Sequence, residues 1–230
     1  KVISNYSKKE AFTIHKKIYF PKKDKSGGVK FILQPNKHKN TIFIVDEASM
    51  IPDTPGESKL FENGSLLDDL MQYVYSGHQC KLLLIGDTAQ LPPVKLDLSP
   101  ALDENTLSLN YNKEVTKMEL DEVVRQEQDS GILKNATILR EALSSAFVDS
   151  FKFDLRGYKD IVRLIDGYEI MDAINDAYST LGNEETAIIV RSNKRANLYN
   201  QQIRSRVLFN DHELTSGDYL MVVKNNYFWL

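Results

Sequence analysis

Two short apolar runs constrain this chain more than anything else in it. Thr41-Ile-Phe-Ile-Val45 ends in Asp46-Glu47, and Lys81-Leu-Leu-Leu-Ile85 ends in Gly86-Asp87. Aliphatic and β-branched runs without polar alternation predict strands buried on both faces. Between them, apolar residues at 60, 61, 66, 67, 70, 71, 74 and 75 share one helical face, so a helix is expected from Leu60 to Tyr75. Strand, helix, strand implies a parallel pair with a crossover, and hence an α/β sheet.

The second half repeats this grammar. Asp160 to Ile165 reads as a strand, Tyr168 to Leu181 as a helix, and Thr186 to Val190 as a strand. A helix is expected over Asn193 to Leu208, with Ser192 or Asn193 as its cap. Asp218 to Val223 reads as one more strand. The 230 residues therefore read as two α/β units, 1–120 and 121–230, joined near Leu120 to Asp129.

Residues 16–40 fit neither pattern. Ile18-Tyr-Phe20 and Val29 to Leu33 are strand-like, and the Lys-Asp-Lys-Ser-Gly-Gly between them is turn-like, which predicts a β-hairpin projecting from the first unit. The hairpin is basic: Lys16 to Asn40 holds eight lysines and one acid, Asp24. A second basic stretch, Thr186 to Asn210, carries Arg191, Lys194, Arg195, Arg204 and Arg206 with no acid. Segregation of this kind can build a phosphate-attracting surface on a chain whose net charge is −3, or these are simply solvated faces. The lone cysteine, Cys80, allows no internal disulfide and suggests a reducing, cytoplasmic setting. No stretch approaches about 20 consecutive apolar residues, so no membrane span is expected.

Asp46-Glu47 carries the strongest chemical signal. Ligands of open α/β sheets bind outside the carboxyl ends of the strands, and this strand delivers two adjacent carboxylates there. One can hold Mg²⁺, usually through water, and the other can orient or deprotonate an attacking water. An acidic pair at a loop start is the plainer alternative. After the second run, Gly86 permits a close backbone approach, and Pro92 and Pro93 stiffen the loop behind Gln90. The Gln90 amide can bond a terminal phosphate or the attacking water, or it is a structural glutamine in a proline-rich exit loop.

Together, TIFIVDEASMI and LLLIGDTAQLPPV resemble motifs II and III of superfamily 1 helicases, in the RecD-like, Dda-like branch that moves 5′ to 3′. Leu120-Asp-Glu-Val-Val-Arg125-Gln126 is similar to the family's motif IV, and DYLMVVKNNY to a stretch typical of RecD-like proteins. KVI followed by AFTIHKKIY resembles the tail of motif Ia and the threonine-histidine DNA-contact segment. The resemblance implies a P-loop NTPase fold: two partial RecA-like domains with parallel sheets and an inserted basic hairpin. It implies an ATP-dependent DNA helicase with ATP and Mg²⁺ as nucleotide and cofactor, translocating on single-stranded DNA and separating duplex at junctions.

The same resemblance gives residues their roles. Asp46 would position Mg²⁺, Glu47 would activate the hydrolytic water, and Gln90 would sense the γ-phosphate. Gly86 and Asp87 belong to the nucleotide-facing loop. Arg125 would reach the same phosphate from the second domain, a task suited to fixed guanidinium donors; read by itself, it is an ordinary surface charge beside Glu122 and Glu127. Thr13, His15 and Lys16 would face the DNA strand, although His15 alone reads as a structural histidine. Arg191, Ser192 and Asn193, at a helix start that suits a phosphate, resemble the second domain's DNA contact. Tyr199, Asn200 and Ile203 mark that helix's core face. The hairpin would act as a wedge, with Tyr19, Phe20 or Phe31 stacking on a base or packing the hairpin onto the sheet.

The chain departs from the family at its ends. It contains no G-x-x-x-x-G-K-[ST] loop, and its only glycine pair, Gly27-Gly28, lies in the hairpin turn. It stops at Trp229-Leu230 before anything like motifs V and VI. This is the pattern of an excised fragment, expected to bind ATP weakly, not to unwind DNA, and to be prone to dimerise through exposed strand edges. Two other readings stand beside the motor: a non-enzymatic nucleic-acid-binding module, and a P-loop NTPase acting on a protein partner.

Overall fold

The computed structural model describes residues 2–23, 28–55, 60–61, 64–120, 129–144 and 150–221. These form a mixed α/β chain that divides into two compact units on either side of 121–128. In the first unit α1 (Val2–Ser7) and α2 (Ile14–Ile18) lead into β1 (Tyr19–Lys23) and β2 (Val29–Leu33). β3 (Ile42–Val45), α3 (Leu66–Ser76), β4 (Lys81–Leu84) and α4 (Glu104–Tyr111) follow.

β3 and β4 pair in parallel with α3 as the crossover, in the register Ile42 to Lys81 through Val45 to Leu84. Ser65 sets the start of α3 by accepting a hydrogen bond from the Asp68 N–H at 3.0 Å, and Asp68 and Asp69 sit favourably in the positive first turn. Leu67, Leu70, Met71 and Val74 then form one buried face. Each contributes roughly 1.5–3 kcal/mol by leaving water. Phe43, Val45, Leu82 and Leu84 pack toward this cluster.

The other face of the pair corrects the expectation of strands covered on both sides. Burial alternates along β3 and β4, leaving Ile42, Ile44, Leu83 and Ile85 exposed, Ile44 by 65%. α3 covers one face, and nothing among the described residues encloses the other. The start of α3 also moves, from the expected Leu60 to Leu66. Leu60 and Phe61 are drawn instead to the hairpin: Phe31 N–H donates to the Leu60 carbonyl at 2.7 Å, and Phe61 stacks on Phe31 at 5.4 Å.

The hairpin is antiparallel from Tyr19–Leu33 to Lys23–Val29, with residues 24–27 of its turn outside the described set. Its base belongs to the core, since Ile18, Tyr19 and Phe31 are buried. The Tyr19 hydroxyl donates to Asp69 Oδ2 on α3 at 2.5 Å. Tyr19 and Phe31 therefore take the packing role among the three hairpin aromatics, while Phe20 is exposed.

The second unit holds three 14-residue helices, α5 (Gly131–Ser144), α6 (Gly167–Thr180) and α7 (Asn193–Arg206). α6 and α7 fall where expected. Asp166 caps α6 through the Tyr168 and Glu169 N–H groups, and Ser192 caps α7 through the Arg195 N–H. The strands expected at 160–165 and 186–190 are not formed; nor is one over 218–221, and residues 222–223 lie outside the described set. A strand needs a ladder, and these segments spend their polar groups elsewhere. Ile165 N–H donates to Glu169 Oε2, the Thr186 hydroxyl donates to the Ala177 carbonyl, and Ile189 is 96% exposed. No helix among the described residues is long and apolar enough to cross a membrane.

Candidate functional site

At the carboxyl end of the parallel pair the ladder runs past the strands. Ile85 N–H donates to the Val45 carbonyl at 2.8 Å, and Ala48 N–H donates to the Ile85 carbonyl at 2.9 Å. These bonds hold the Asp46-Glu47 turn beside Gly86-Asp87. Both acids are exposed, and Asp46 Oδ1 accepts the Glu47 N–H at 3.0 Å. Glu47 sits in the left-handed region at φ 54°, ψ 38°, and a 3-10 turn, Ala48–Met50, begins directly after it. That region costs a non-glycine residue about 1–3 kcal/mol, and six other described non-glycine residues also have positive φ, so it does not mark the site by itself.

Gly86 packs against this turn. A Cβ built on it would lie 2.8 Å from Leu102 Cδ1 and 2.9 Å from the Ser49 backbone nitrogen, so the glycine serves a close approach, as expected from the sequence. Asp87 Oδ1 accepts the Ala89 N–H at 2.9 Å, and Gln90 N–H donates to the Asp87 carbonyl at 3.1 Å, folding the loop into a turn. Pro93 is buried behind it, and Gln90 is exposed. The structure thus brings Asp46, Glu47, Gly86 and Asp87 to one sheet end, with Gln90 on the adjoining turn. Arg125 lies outside the described residues.

The chemistry available here is that of exposed oxygen donors and an amide. A hard cation held largely by water and phosphate oxygens needs only one or two protein carboxylates, and Asp46 fits that demand. Among the described residues no cluster of three or more histidine, cysteine or acidic side chains could hold a metal by itself. Two open depressions lie elsewhere. One of about 280 Å³ is lined by Asp53, Leu96, Asp97 and Asp103, and one of about 450 Å³ by Asn175, Tyr178, Val207 and Leu208. Neither includes a residue singled out above.

The other expected contacts fall into two groups. Thr13 caps α2, its hydroxyl accepting the Lys16 N–H at 3.4 Å. His15 is exposed at one edge and packs its ring on Phe61 and Tyr19, with centroids 5.3 and 5.7 Å apart; the desolvation of that contact lowers its pKa and favours a neutral ring. Lys16 and Lys17 place their ammonium groups 5.8 and 5.5 Å from the ring of the exposed Phe12. Phe12 and Lys17 were missed as candidates, although an aromatic interleaved with lysines was the signal to read. Arg191, Ser192 and Asn193 lie in the second unit, all exposed, at the start of α7. Arg204 is not available as a phosphate contact: it pairs with Asp218 at 2.7 Å and donates to the His212 and Glu213 carbonyls.

No protein-family model matches this chain, and no curated protein matches it either.

Proposed function

We propose that this chain belongs to an ATP-dependent DNA helicase of the RecD-like superfamily 1 branch, with two RecA-like units. The observation that carries the proposal is the register of the parallel pair, which sets the acid turn and the Gly86–Gln90 loop side by side. In this reading Asp46 holds Mg²⁺ through water, and the ion neutralises charge on the phosphates. Glu47 orients and deprotonates the attacking water, and a group in that role contributes about 10²–10⁴-fold. Gln90 bonds the terminal phosphate and loses that contact after hydrolysis. Arg125 supplies a guanidinium to the charge that develops in the transition state.

Single-stranded DNA lies along the surface bearing Thr13, Lys16, Phe12 and Lys17, with the lysines of the hairpin adding sequence-independent affinity. His15 serves that surface as a packed neutral ring rather than as a cation. Arg191, Ser192 and Asn193 form a separate phosphate contact on the second unit.

The sequence holds no G-x-x-x-x-G-K-[ST] loop to cradle the phosphates, so the 230-residue chain by itself should hydrolyse ATP at background rates. An ATPase assay with and without single-stranded DNA tests this, and robust stimulated turnover would contradict it. The natural protein that carries this sequence should bind single-stranded DNA and hydrolyse ATP in response to it; if it binds DNA but hydrolyses nothing, the chain is a non-enzymatic nucleic-acid-binding module.

A further inference from the structure

Ser49 is fully buried, and its hydroxyl has no hydrogen-bond partner among the described residues. A buried hydroxyl left unpaired disfavours the arrangement that buries it, and alanine in its place would remove that penalty. Two neighbours sharpen the anomaly. Glu47, two residues earlier, is held in the left-handed region. Gly86, which opens the loop leading to Gln90, is packed so closely on Ser49 that a Cβ there would lie 2.9 Å from the Ser49 nitrogen. A conformationally costly acid, an orphaned hydroxyl and a close loop thus occupy one turn.

We propose that Ser49 is a positioning residue: when nucleotide binds, its hydroxyl takes up a hydrogen bond with the 86–90 loop, tying the Glu47 turn to Gln90. This rests on the ATPase reading above and deepens it. The hydroxyl acts through Glu47 and Gln90 and touches no substrate. It would couple the water-activating carboxylate to the amide that reads the terminal phosphate.

The test uses the natural protein that carries this sequence. Ser49→Ala should keep its melting temperature or raise it, since the hydroxyl has no partner among the described residues. It should lower kcat about tenfold with KM for ATP unchanged, short of the roughly hundredfold that an ångström of misplacement can cost. Combined with Gln90→Ala, its loss should not multiply, because both changes cut the same link. A wild-type kcat overturns the proposal. So does a lowered melting temperature, which would mark Ser49 as a packing residue, and so does multiplicative loss in the double variant. If Ser49→Ala fails to fold, Ser49→Cys keeps the size with a weaker donor; an intermediate kcat is then expected, and a wild-type kcat overturns the idea. Glu47→Gln is the control. Retained turnover there sinks the ATPase reading and this proposal together, whereas a dead Glu47→Gln beside an unaffected Ser49→Ala sinks this proposal alone.

Discussion

The phenol of Tyr19 and the carboxylate of Asp69 are both buried where the hairpin meets α3, and their 2.5 Å hydrogen bond joins residues 50 positions apart. Burial first, and the bond to Asp69 second, raise the tyrosine's pKa, so the phenol stays protonated and donates throughout the physiological range. Tyr19→Phe keeps the ring contact with Phe61, 4.9 Å away, and removes only the donor. A hydrogen bond to a charged group contributes about 1.5–3 kcal/mol, so urea unfolding should show a loss of about 2 kcal/mol. An unchanged midpoint would mean that the bond does not anchor the hairpin. The aromatic content of 18–20 was visible in the sequence, but its division was not. Tyr19 is core and Phe20 exposed because strand neighbours point to opposite faces, and only the position of α3 decides which face is inside.

At the scale of elements, α5 shows why part of the fold escaped sequence reading. Its first turn is satisfied by Asp160, some 30 residues away: the carboxylate accepts from the Ser130 hydroxyl at 2.7 Å and from the Gly131 and Ile132 N–H groups at 2.9 and 3.1 Å. Ser130 also caps this turn locally, its hydroxyl accepting the Leu133 N–H at 3.1 Å, but the tie to Asp160 has no local pattern. Asn135 adds a second tie, bonding both the carbonyl and the N–H of Asp154. α3, α6 and α7 likewise carry Ser65, Asp166 and Ser192 directly before their first turns, and their limits were legible to within a few residues apart from the start of α3. The strands divide in the same way. β3 and β4 were readable because each finds the other; 160–165 and 186–190 are also rich in apolar residues but have no ladder partner among the described residues, and strand formation is never a local property.

The Asp160 cap has a pH signature. The Ser130 hydroxyl, followed by the Ile132 and Gly131 N–H groups, lowers its pKa from 3.8 to about 2. Because the folded value lies below the unfolded one, the stabilisation is complete above about pH 4 and lost as pH falls toward 2. The protection of the Gly131 to Leu133 amides, measured against their intrinsic exchange rates, should therefore fall across that window. Asp160→Asn should exchange faster at neutral pH and show a flatter response; a variant that retained the wild-type profile would assign the effect to another group.

At the scale of the whole molecule, charge is segregated and the candidate residues are divided between two units. The acid turn, Gly86, Asp87 and Gln90 lie in the first, together with Thr13, His15 and Lys16, and Arg191, Ser192 and Asn193 lie in the second. Sequence alone located the sheet-end residues, because a buried strand fixes where its terminal side chains emerge. It could not locate Ser49, whose significance is a missing partner rather than a residue type. The exposed face of β3 and β4 likewise follows from what covers them, not from their own composition.

The account stands on Glu47 activating water for ATP hydrolysis, and single-turnover ATP cleavage by the natural protein that carries this sequence, with single-stranded DNA, measures that step. Glu47→Gln should still bind ATP and DNA while cleaving about 10²–10⁴-fold more slowly. Cleavage at the wild-type rate by that variant would contradict the account.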